Sequence, residues 1–239
     1  MSWLLPIQAS EHAAQIDTIM LLVHTLMLAL AVGWGGVFVY SLVRFRRSRH
    51  PHADYEGAKG RFSTYSEAVI VLAKLLLLVG FSIPAFATRL RDLPPEHEAV
   101  VVRVVAEQFV WNTHYPGSDG AFGRTDMALV SADNPLGLDR RDPRATDDVT
   151  AVNEVVVPIG RPVIVQLTAK DVIHSFGVPA MRVKQDANPG MVTPVWFTPT
   201  VAGEFDIACS QLCGLGHYRM RGVLRVVSDA EFRRWLENP

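Results

Sequence analysis

The sequence has few cysteines and no excess of charge of either sign. Only two cysteines occur among 239 residues, which excludes a fold held together by a framework of disulfides. The 23 lysines and arginines nearly balance the 24 aspartates and glutamates, so the chain lacks the basic character of a typical nucleic-acid-binding protein and no nucleic-acid partner is expected. The N-terminus has neither the basic n-region nor the small-residue cleavage site of a secretory signal, and we expect it to be mature and uncleaved.

Charged residues are absent from a long apolar stretch near the N-terminus, Thr18–Val43. As a helix it would be roughly 39 Å long, enough to cross a hydrocarbon core of about 30 Å. A second span is predicted over Glu67–Ala87, with Lys74 inside it and Pro84 near its far end. The connecting loop is rich in arginine, which predicts a cytoplasmic loop and two outward-facing termini. From this pattern alone, Glu67 is interpreted as a solvated residue at the end of its helix.

Beyond Arg89, short runs of β-branched residues alternate with glycine and proline, which predicts a β-sandwich or barrel of about 140 residues. Ser228 and Glu231 have capping-box spacing, which predicts a short C-terminal helix covering the barrel. The aspartate-rich segment 116–150 is predicted to be an exposed excursion. The predicted strands lie within 98–106, 153–158, 161–168, 195–198, 204–208 and 222–227. The predicted parts are an outer N-terminal segment (1–17), a transmembrane hairpin (18–88) and an outer β domain (89–239).

Both cysteines stand in one stretch of twelve residues, where Cys209, Cys213, His217 and Met220 follow one another at short intervals. Two thiolates, an imidazole and a thioether suit copper better than calcium, magnesium or manganese, and the thioether favours electron transfer. Zinc is an alternative, but it rarely takes methionine. Since a single blue copper needs only one cysteine, the second thiolate favours a bridged two-copper centre. A structural disulfide is the other interpretation of the cysteine pair.

A further imidazole is available at His174, which follows a predicted strand within the β domain. Considered alone it is equally well interpreted as a satisfied core histidine, but the cysteine loop favours a role as a ligand. The segment 107–116 concentrates aromatic side chains that include Phe109 and Trp111. Such side chains either pack in a core or anchor a docking surface.

Three motifs together resemble one family. They are Asp171-Val-Ile-His174-Ser-Phe, Lys184-Gln-Asp186-Ala-Asn-Pro-Gly190 and Cys209-x-x-x-Cys213-x-x-x-His217-x-x-Met220. On these residues the chain resembles subunit II of cytochrome c oxidase, of the haem-copper oxidase superfamily, over nearly its whole length. The resemblance implies a transmembrane hairpin followed by a cupredoxin-like domain that holds a binuclear copper centre, called CuA, on the periplasmic face of a bacterial inner membrane.

The resemblance also implies roles for individual residues. Cys209 and Cys213 would bridge two copper ions, His174 and His217 would each bind one of them, and Met220 and the backbone carbonyl of Gln211 would be weak ligands. The centre would take electrons singly from cytochrome c and pass them to haem a in subunit I, which holds the haems, reduces oxygen and pumps protons. This chain would thus be an oxidase subunit that transfers electrons without itself reducing oxygen. Glu67 matches a glutamate near the mouth of a proton path, which replaces the solvated interpretation.

Two residues depart from the family pattern. Gln211 stands where the family usually has a glutamate that reaches a magnesium ion shared with subunit I, and a neutral amide counts against that magnesium. Phe109 stands where the family has its electron-uptake tryptophan, while Trp111 matches the second aromatic of the motif. Uptake is therefore expected to use Trp111 or a different docking arrangement. No Cys-x-x-Cys-His motif for a covalent haem is present.

Three other functions share parts of the pattern. A copper-free quinol oxidase subunit II would lack the cysteine, histidine and methionine ligands. A thioredoxin-type copper chaperone has its histidine after the cysteines, whereas His174 precedes them. The copper domain of nitrous oxide reductase shares the ligand loop but has no transmembrane hairpin.

Overall fold

The computed structural model describes residues 5–52, 55–56 and 60–239. These residues form two compact units: a helical unit, Gln15–Asp92, and a β unit that combines Leu93–Pro239 with the N-terminal segment up to Ala14. Residues 1–4 of the predicted N-terminal segment, and Asp54 and Lys59 of the predicted cytoplasmic loop, lie outside the described residues. The boundaries at residues 17 and 88 remain a prediction.

The helical unit consists of two long apolar helices, as expected from the two predicted spans. The first is α1 (Ala13–Arg44); the second is built from α2 (Phe62–Leu77), a π-helical turn (Leu78–Ser82) and α3 (Ile83–Arg91). Both are long and apolar enough to cross a membrane, and almost none of either helix is buried within the protein. Apolar side chains that stay exposed on a helix of this length suit a lipid environment.

A proline explains the irregularity of the second helix. Pro84 has no N–H group and cannot donate a hydrogen bond to the carbonyl of Gly80, one turn earlier. The π-helical turn Leu78–Ser82 lies directly before it. A single wide turn is a common way for a helix to absorb such a missing bond and continue. Phe62–Arg91 therefore remains one continuous apolar helix.

The β unit is a sandwich of two five-stranded sheets. One sheet has the order β3-β2-β1-β5-β8 and the other β4-β10-β9-β6-β7. The β1–β5 and β4–β10 pairs are parallel, and the other pairs are antiparallel. The strands are β1 (Val100–Glu107), β2 (Val110–Tyr115), β3 (Val149–Val152), β4 (Glu154–Pro158), β5 (Val163–Ala169), β6 (His174–Val178), β7 (Val183–Ala187), β8 (Thr193–Phe197), β9 (Gly203–Cys209) and β10 (Arg221–Val227).

Alternating side chains build the core between the sheets. Along β1 every second residue is buried, as expected for a strand with one face on the core. The six predicted strand segments are confirmed, whereas β2, β3, β6 and β7 were not predicted as strands. Five of the six residues of β2 are buried, among them Asn112, Thr113 and His114, and this polar content hides the apolar alternation that identifies a strand.

Residues 5–14, here called the N-terminal strap, pack along the sandwich in a strand-like manner. The N–H of Ala9 donates to the carbonyl of Ala180 at 2.9 Å, and the N–H of Thr200 donates to the carbonyl of Ala9 at 2.8 Å. The Ser10 hydroxyl donates to the carbonyl of Met181 at 2.7 Å. Ala9 and Ala13 are fully buried, so the N-terminal strap covers part of the sandwich.

The aspartate-rich segment is not wholly exposed as predicted. The Asp148 side chain is buried, because its carboxylate accepts hydrogen bonds from His114 Nε2 at 2.5 Å and from the N–H of Gly123 at 2.8 Å. Asp139, which is also largely buried, is paired with Arg124 at 2.5 Å. Burial of a carboxylate is tolerated when hydrogen bonds and charge partners replace its water.

The C-terminal helix is confirmed. Helix α4 (Asp229–Glu237) begins with the predicted capping box, in which the Ser228 hydroxyl accepts from the N–H of Glu231 and the Glu231 carboxylate accepts from the N–H of Ser228. Phe232 is buried, and Trp235 packs on Tyr115 with ring centroids 5.0 Å apart. The helix therefore covers one end of the sandwich.

Candidate metal centre

The loop between β9 and β10 holds four potential metal ligands. Cys209 is the last residue of β9, and its N–H donates to the carbonyl of Met220 at 3.2 Å, which closes the loop at its base. The N–H of Ser210 donates to the carbonyl of Ser175 on β6 at 2.9 Å. Gly214 has φ +128, a conformation that L side chains rarely adopt. The two sheet attachments and the glycine together give the loop a compact shape.

The two cysteines are free and buried. Their Sγ atoms lie 3.7 Å apart, well beyond the roughly 2.05 Å of a disulfide bond. Cys209 Sγ also lies 3.1 Å from the backbone carbonyl oxygen of Gln211. The sulfur atoms thus share one small polar space with a carbonyl oxygen, an arrangement that favours metal ligation over the disulfide interpretation.

His174 reaches the same space from β6, which lies next to β9 in the same sheet. It is the first residue of β6 and is fully buried. Its Nδ1 lies 3.1 Å from Met220 Sδ and 3.9 Å from Cys209 Sγ. The ligand atoms of His174, Cys209 and Cys213 all lie within 4.8 Å of one another. The structure therefore brings together residues that are 35 positions apart in the chain.

His217, which is half-buried, lies next to Cys213. Its Nδ1 lies 3.6 Å from Cys213 Sγ, and Met220 Sδ lies 3.7 Å from the same sulfur. One imidazole is thus close to Cys209 and the other close to Cys213. The pair of sulfur atoms stands between the two histidines.

The β unit matches a family model. Residues 100–227 match the model described as cytochrome c oxidase subunit II, periplasmic domain. The matched range is more than half of the chain.

The chain belongs to the cytochrome c oxidase subunit II family.

Individual relatives agree with this assignment. An alternative cytochrome c oxidase subunit 2 of Bradyrhizobium diazoefficiens is 43% identical over 141 residues, 59% of this chain and 51% of the relative. A cytochrome c oxidase subunit 2 of Cereibacter sphaeroides is 28% identical over 246 residues, 96% of this chain and 77% of the relative. The alignment thus spans only about half of the Bradyrhizobium relative.

One solved structure covers the β unit. The periplasmic domain of subunit II of the cytochrome oxidase of Bradyrhizobium japonicum has 34% sequence identity, a TM-score of 0.45, and coverage of 61% of this chain and 94% of that one. Within this family, the present chain is a membrane-anchored subunit whose His, Cys, Cys and Met side chains form a cluster consistent with a CuA copper site.

The donor chemistry fits copper. Soft sulfur and borderline imidazole donors surround the space, and the oxygen facing it is the carbonyl of Gln211, a set that disfavours hard cations. Burial raises the pKa of the Cys213 thiol to about 11, with a further contribution from the neighbouring Cys209. A bound cation would reverse this shift, because a coordinating thiol is deprotonated by its metal. The donor set present therefore fits copper.

Asp171 fixes the orientation of His174. Its carboxylate accepts a hydrogen bond from His174 Nε2 at 2.9 Å, from the N–H of Gln108 at 2.8 Å and from the N–H of Val172 at 2.7 Å. Burial alone would raise the pKa of Asp171, but these hydrogen bonds outweigh it and lower the pKa. With Nε2 committed to the carboxylate, Nδ1 is left as the nitrogen that faces the sulfur atoms.

Sequence analysis did not give Asp171 a role. A signal was present, because a carboxylate three residues before a ligand histidine is well placed to bind its second ring nitrogen. Gln108 was also missed: its side-chain Nε2 donates to the carbonyl of Cys213 at 2.6 Å and ties the β1–β2 turn to the ligand loop. Nothing in the sequence identifies this second contact.

The two aromatic residues expected at electron uptake lie at different depths. Trp111 is fully buried and packs edge-to-face against Phe176, with centroids 5.5 Å apart, and 6.3 Å from the His174 ring. It lies too deep to anchor a docking surface directly. Phe109 is half-buried and lies over the ligand loop, so closely that a Cβ added at Gly216 would fall 2.4 Å from its ring.

The remaining predicted site residues lie elsewhere. The side chain of Gln211 is exposed, although its carbonyl faces Cys209. Glu67 is exposed on α2, in the helical unit, and so belongs to a different part of the subunit from the metal cluster.

Proposed function

We propose that this chain is the electron-accepting subunit of a proton-pumping cytochrome c oxidase. It takes electrons one at a time from cytochrome c and passes them to haem a in subunit I, where oxygen is reduced to water. The observation that supports this most strongly is the buried pair of free thiols with an imidazole close to each sulfur. In this proposal the haems belong to subunit I, and this chain carries no covalent haem.

The proposed metal is a pair of copper ions. Bound copper would supply a one-electron carrier whose electron is shared between two metals held by bridging thiolates. The carbonyl of Gln211 and the thioether of Met220 are the proposed weak ligands, since both lie at the edge of the sulfur pair. The proposed ligands are His174, Cys209, Gln211, Cys213, His217 and Met220.

The protein contributes rigidity to this function. The carboxylate of Asp171 holds the His174 ring, and the side-chain amide of Gln108 holds the carbonyl of Cys213. Because outer-sphere electron transfer is slowed by any movement of ligands between oxidation states, such restraints speed transfer. Because His174, Cys209, Cys213 and Met220 are buried and His217 is half-buried, we propose electron transfer and no substrate chemistry at the copper.

We propose that electrons enter near Phe109 and pass the region of Trp111. Phe109 combines partial exposure with contact to the ligand loop, and the Arg219 guanidinium lies 5.8 Å from its ring. Trp111 is two residues further along the chain, and its ring centroid lies 6.3 Å from that of His174, a proposed copper ligand. Leu215 and Tyr218 on the ligand loop are 98% and 87% exposed, and such large apolar side chains suit contacts with partner proteins.

The proposed setting is a bacterial inner membrane. The arginine-rich loop would face the cytoplasm and the β unit the periplasm, with residues 1–17 as an outer segment, 18–88 as the hairpin and 89–239 as the copper domain. Subunit I, other oxidase subunits and the lipid bilayer are the proposed partners of the hairpin. Glu67 is proposed to stand near the mouth of a proton path into subunit I. The neutral amide of Gln211 disfavours a magnesium ion shared with subunit I.

Copper loading of the full chain tests the proposal. The reduced, detergent-solubilised protein is expected to become purple, to bind two coppers per chain and to give a multi-line, mixed-valence paramagnetic spectrum. Cys213→Ser is expected to abolish the multi-line spectrum, because the bridge is lost. Met220→Leu is expected to change the spectrum, whereas Met191→Leu, at an exposed methionine outside the loop, serves as the matched control.

Two outcomes would contradict the proposal. A colourless or one-copper product from the correctly folded chain would exclude a binuclear centre. A disulfide between Cys209 and Cys213 in the active, copper-replete protein would remove the ligands themselves. Reduction of the copper-loaded chain by cytochrome c in a stopped-flow experiment then tests the donor, and failure there would leave the metal site intact but exclude cytochrome c.

A further inference from the structure

A cavity lies in the β unit, away from the metal cluster. Its volume is about 600 Å³, and it is lined by residues of the first half of β1, the start of the segment 116–150 and helix α4. This volume is within the range of small-molecule sites, roughly 300–1,000 Å³. From Arg103 in its wall to Gln108 at the copper end, β1 runs about 16 Å. None of its lining residues belongs to the proposed copper site.

Arg103 is the central charged residue of this cavity. It projects from the outer face of β1, where its half-buried guanidinium lies 3.8 Å from the ring centroid of Phe122. Its Nε donates to Gln166 Oε1 at 3.2 Å. In the part of the chain that the structure describes, Arg103 forms no ion pair with a carboxylate. Asp148 acts on Arg103 only through its charge: its Oδ2 accepts hydrogen bonds from His114 and Gly123, and its Oδ1 is buried without a hydrogen-bond partner.

This arrangement leaves the outer end of the Arg103 guanidinium free to bind. A partly buried charge without a partner is unfavourable, and burial lowers the pKa of the Arg103 guanidinium, with compensation from Asp148 and Glu96. The stacking of an arginine on an aromatic ring with its terminal nitrogens free is a common preparation for binding a carboxylate or phosphate.

The rest of the lining adds positive charge and an apolar wall. Arg161 and Arg233 also line the cavity and share a single carboxylate, Asp229, at 3.3 and 2.7 Å. Glu96, the other acidic group at this wall, accepts from the Gln166 side chain at 3.3 Å. Of the guanidinium and carboxylate groups that line the cavity, three are guanidinium groups and one is a carboxylate, Glu96, while Asp229 and Asp148 lie outside the lining and interact with its arginines. Apolar surface is provided by Val100, Tyr115, Phe122, Phe232 and Leu236.

We propose that this cavity binds a small organic anion, a carboxylate or phosphate carried on an apolar body. Arg103 binds the anionic group, Arg161 and Arg233 contribute positive charge at the rim, and the apolar body packs between Phe122 and Phe232. The proposal does not depend on the function of the copper site, because no residue is shared between them.

Calorimetric titration of the full, copper-loaded chain tests the proposal with phenyl phosphate as the probe. We expect saturable binding that weakens with added salt, weaker binding of inorganic phosphate, and no binding of benzyl alcohol. Arg103→Gln should weaken phenyl phosphate binding by about 10- to 100-fold, the value of one charged hydrogen-bond pair. Arg124→Gln is the control, because Arg124 is exposed and paired with Asp139 outside the cavity.

Further arms keep the test decisive. If Arg103→Gln does not fold, judged by circular dichroism and the copper spectrum, Arg233→Gln on the exposed side of α4 replaces it, with an expected weakening of several-fold. The titration is repeated with the chain in nanodiscs of phosphatidylglycerol or of phosphatidylcholine. Weaker phenyl phosphate binding in phosphatidylglycerol alone would show competition by the anionic headgroup and assign the anion to a lipid. Equal phenyl phosphate binding in both lipids would assign it to a free anion. Absent binding, equal binding by Arg103→Gln, or equal affinity for benzyl alcohol would overturn the proposal.

Discussion

Replacing Asp171 by asparagine should raise the reduction potential of the copper-loaded protein. The carboxylate hydrogen-bonds His174 Nε2 at 2.9 Å, and the ring passes its influence to the metal-facing Nδ1. A negative charge here favours the oxidised, more positive state of a bound metal. Its removal therefore favours the reduced state, and the potential moves upward.

The size of the effect follows from the geometry. The hydrogen bond, the imidazole ring and a metal–nitrogen bond of about 2 Å together separate the carboxylate from a metal by about 7 Å. At an effective dielectric constant of about 20, one charge at that distance is worth about 2.4 kcal/mol, or roughly 100 mV for a one-electron couple. About a third of the Asp171 side chain is exposed, so solvent screening reduces the expected rise to about 50–100 mV.

Spectroelectrochemistry of the full chain measures this shift. Asp206→Asn is the charge-matched control, because Asp206 is exposed on β9, paired with Arg221 at 2.8 Å and three residues from Cys209. Three residues of strand separate Asp206 from Cys209 by about 10 Å, and the exposed carboxylate lies in a dielectric near that of water. Removing its charge should therefore shift the reduction potential by less than about 20 mV. Copper content and the paramagnetic spectrum must be unchanged in both variants. If Asp171→Asn keeps its copper and shifts the potential no more than the control does, Asp171 has no electrostatic influence on the centre.

Three further predictions concern the ligand loop and the C-terminal helix. Because burial and the adjacent Cys209 raise the pKa of Cys213 to about 11, copper loading of the reduced protein should release protons and proceed faster as the pH rises toward that value; a pH-independent rate would contradict this. Gly216→Ala should lower the free energy of unfolding by about 1–3 kcal/mol, because the added Cβ would overlap the ring of Phe109. A second substitution, Phe109→Leu, should restore part of this loss. Ser228→Ala should lower the free energy of unfolding by about 1 kcal/mol, measured with denaturant, because it removes the cap of α4; an unchanged midpoint would exclude that contribution.

The ligand loop was predictable because its ligands are local in sequence. Cys209, Cys213, His217 and Met220 are close enough for one short loop to gather them, and the structure confirms that their side chains converge. His174 lies 35 residues before Cys209, and the sequence favoured it as a ligand only because a cysteine-rich loop needing a further imidazole is present elsewhere in the chain. No local pattern predicts that β6 pairs with β9, and this pairing brings His174 to the sulfur atoms.

The features that sequence analysis missed depend on tertiary contacts. Strand β2 has polar residues on its buried face, and only the partners of these residues, such as Asp148 for His114, make their burial acceptable. Asp148 in turn was expected to be exposed because it stands among several aspartates. The depth of Trp111 has the same origin, since only the packed sandwich distinguishes a buried aromatic side chain from an exposed one.

The N-terminal strap affects how the copper domain must be produced for study. A fragment that starts after the hairpin would leave the carbonyls of Ala180 and Met181 and the N–H of Thr200 without the partners that Ala9 and Ser10 now supply. During synthesis the same residues leave the ribosome well before the segment that receives them, so this edge of the sandwich is completed late. A soluble version would therefore benefit from residues 5–14 being joined to the domain by a flexible linker in place of the two helices.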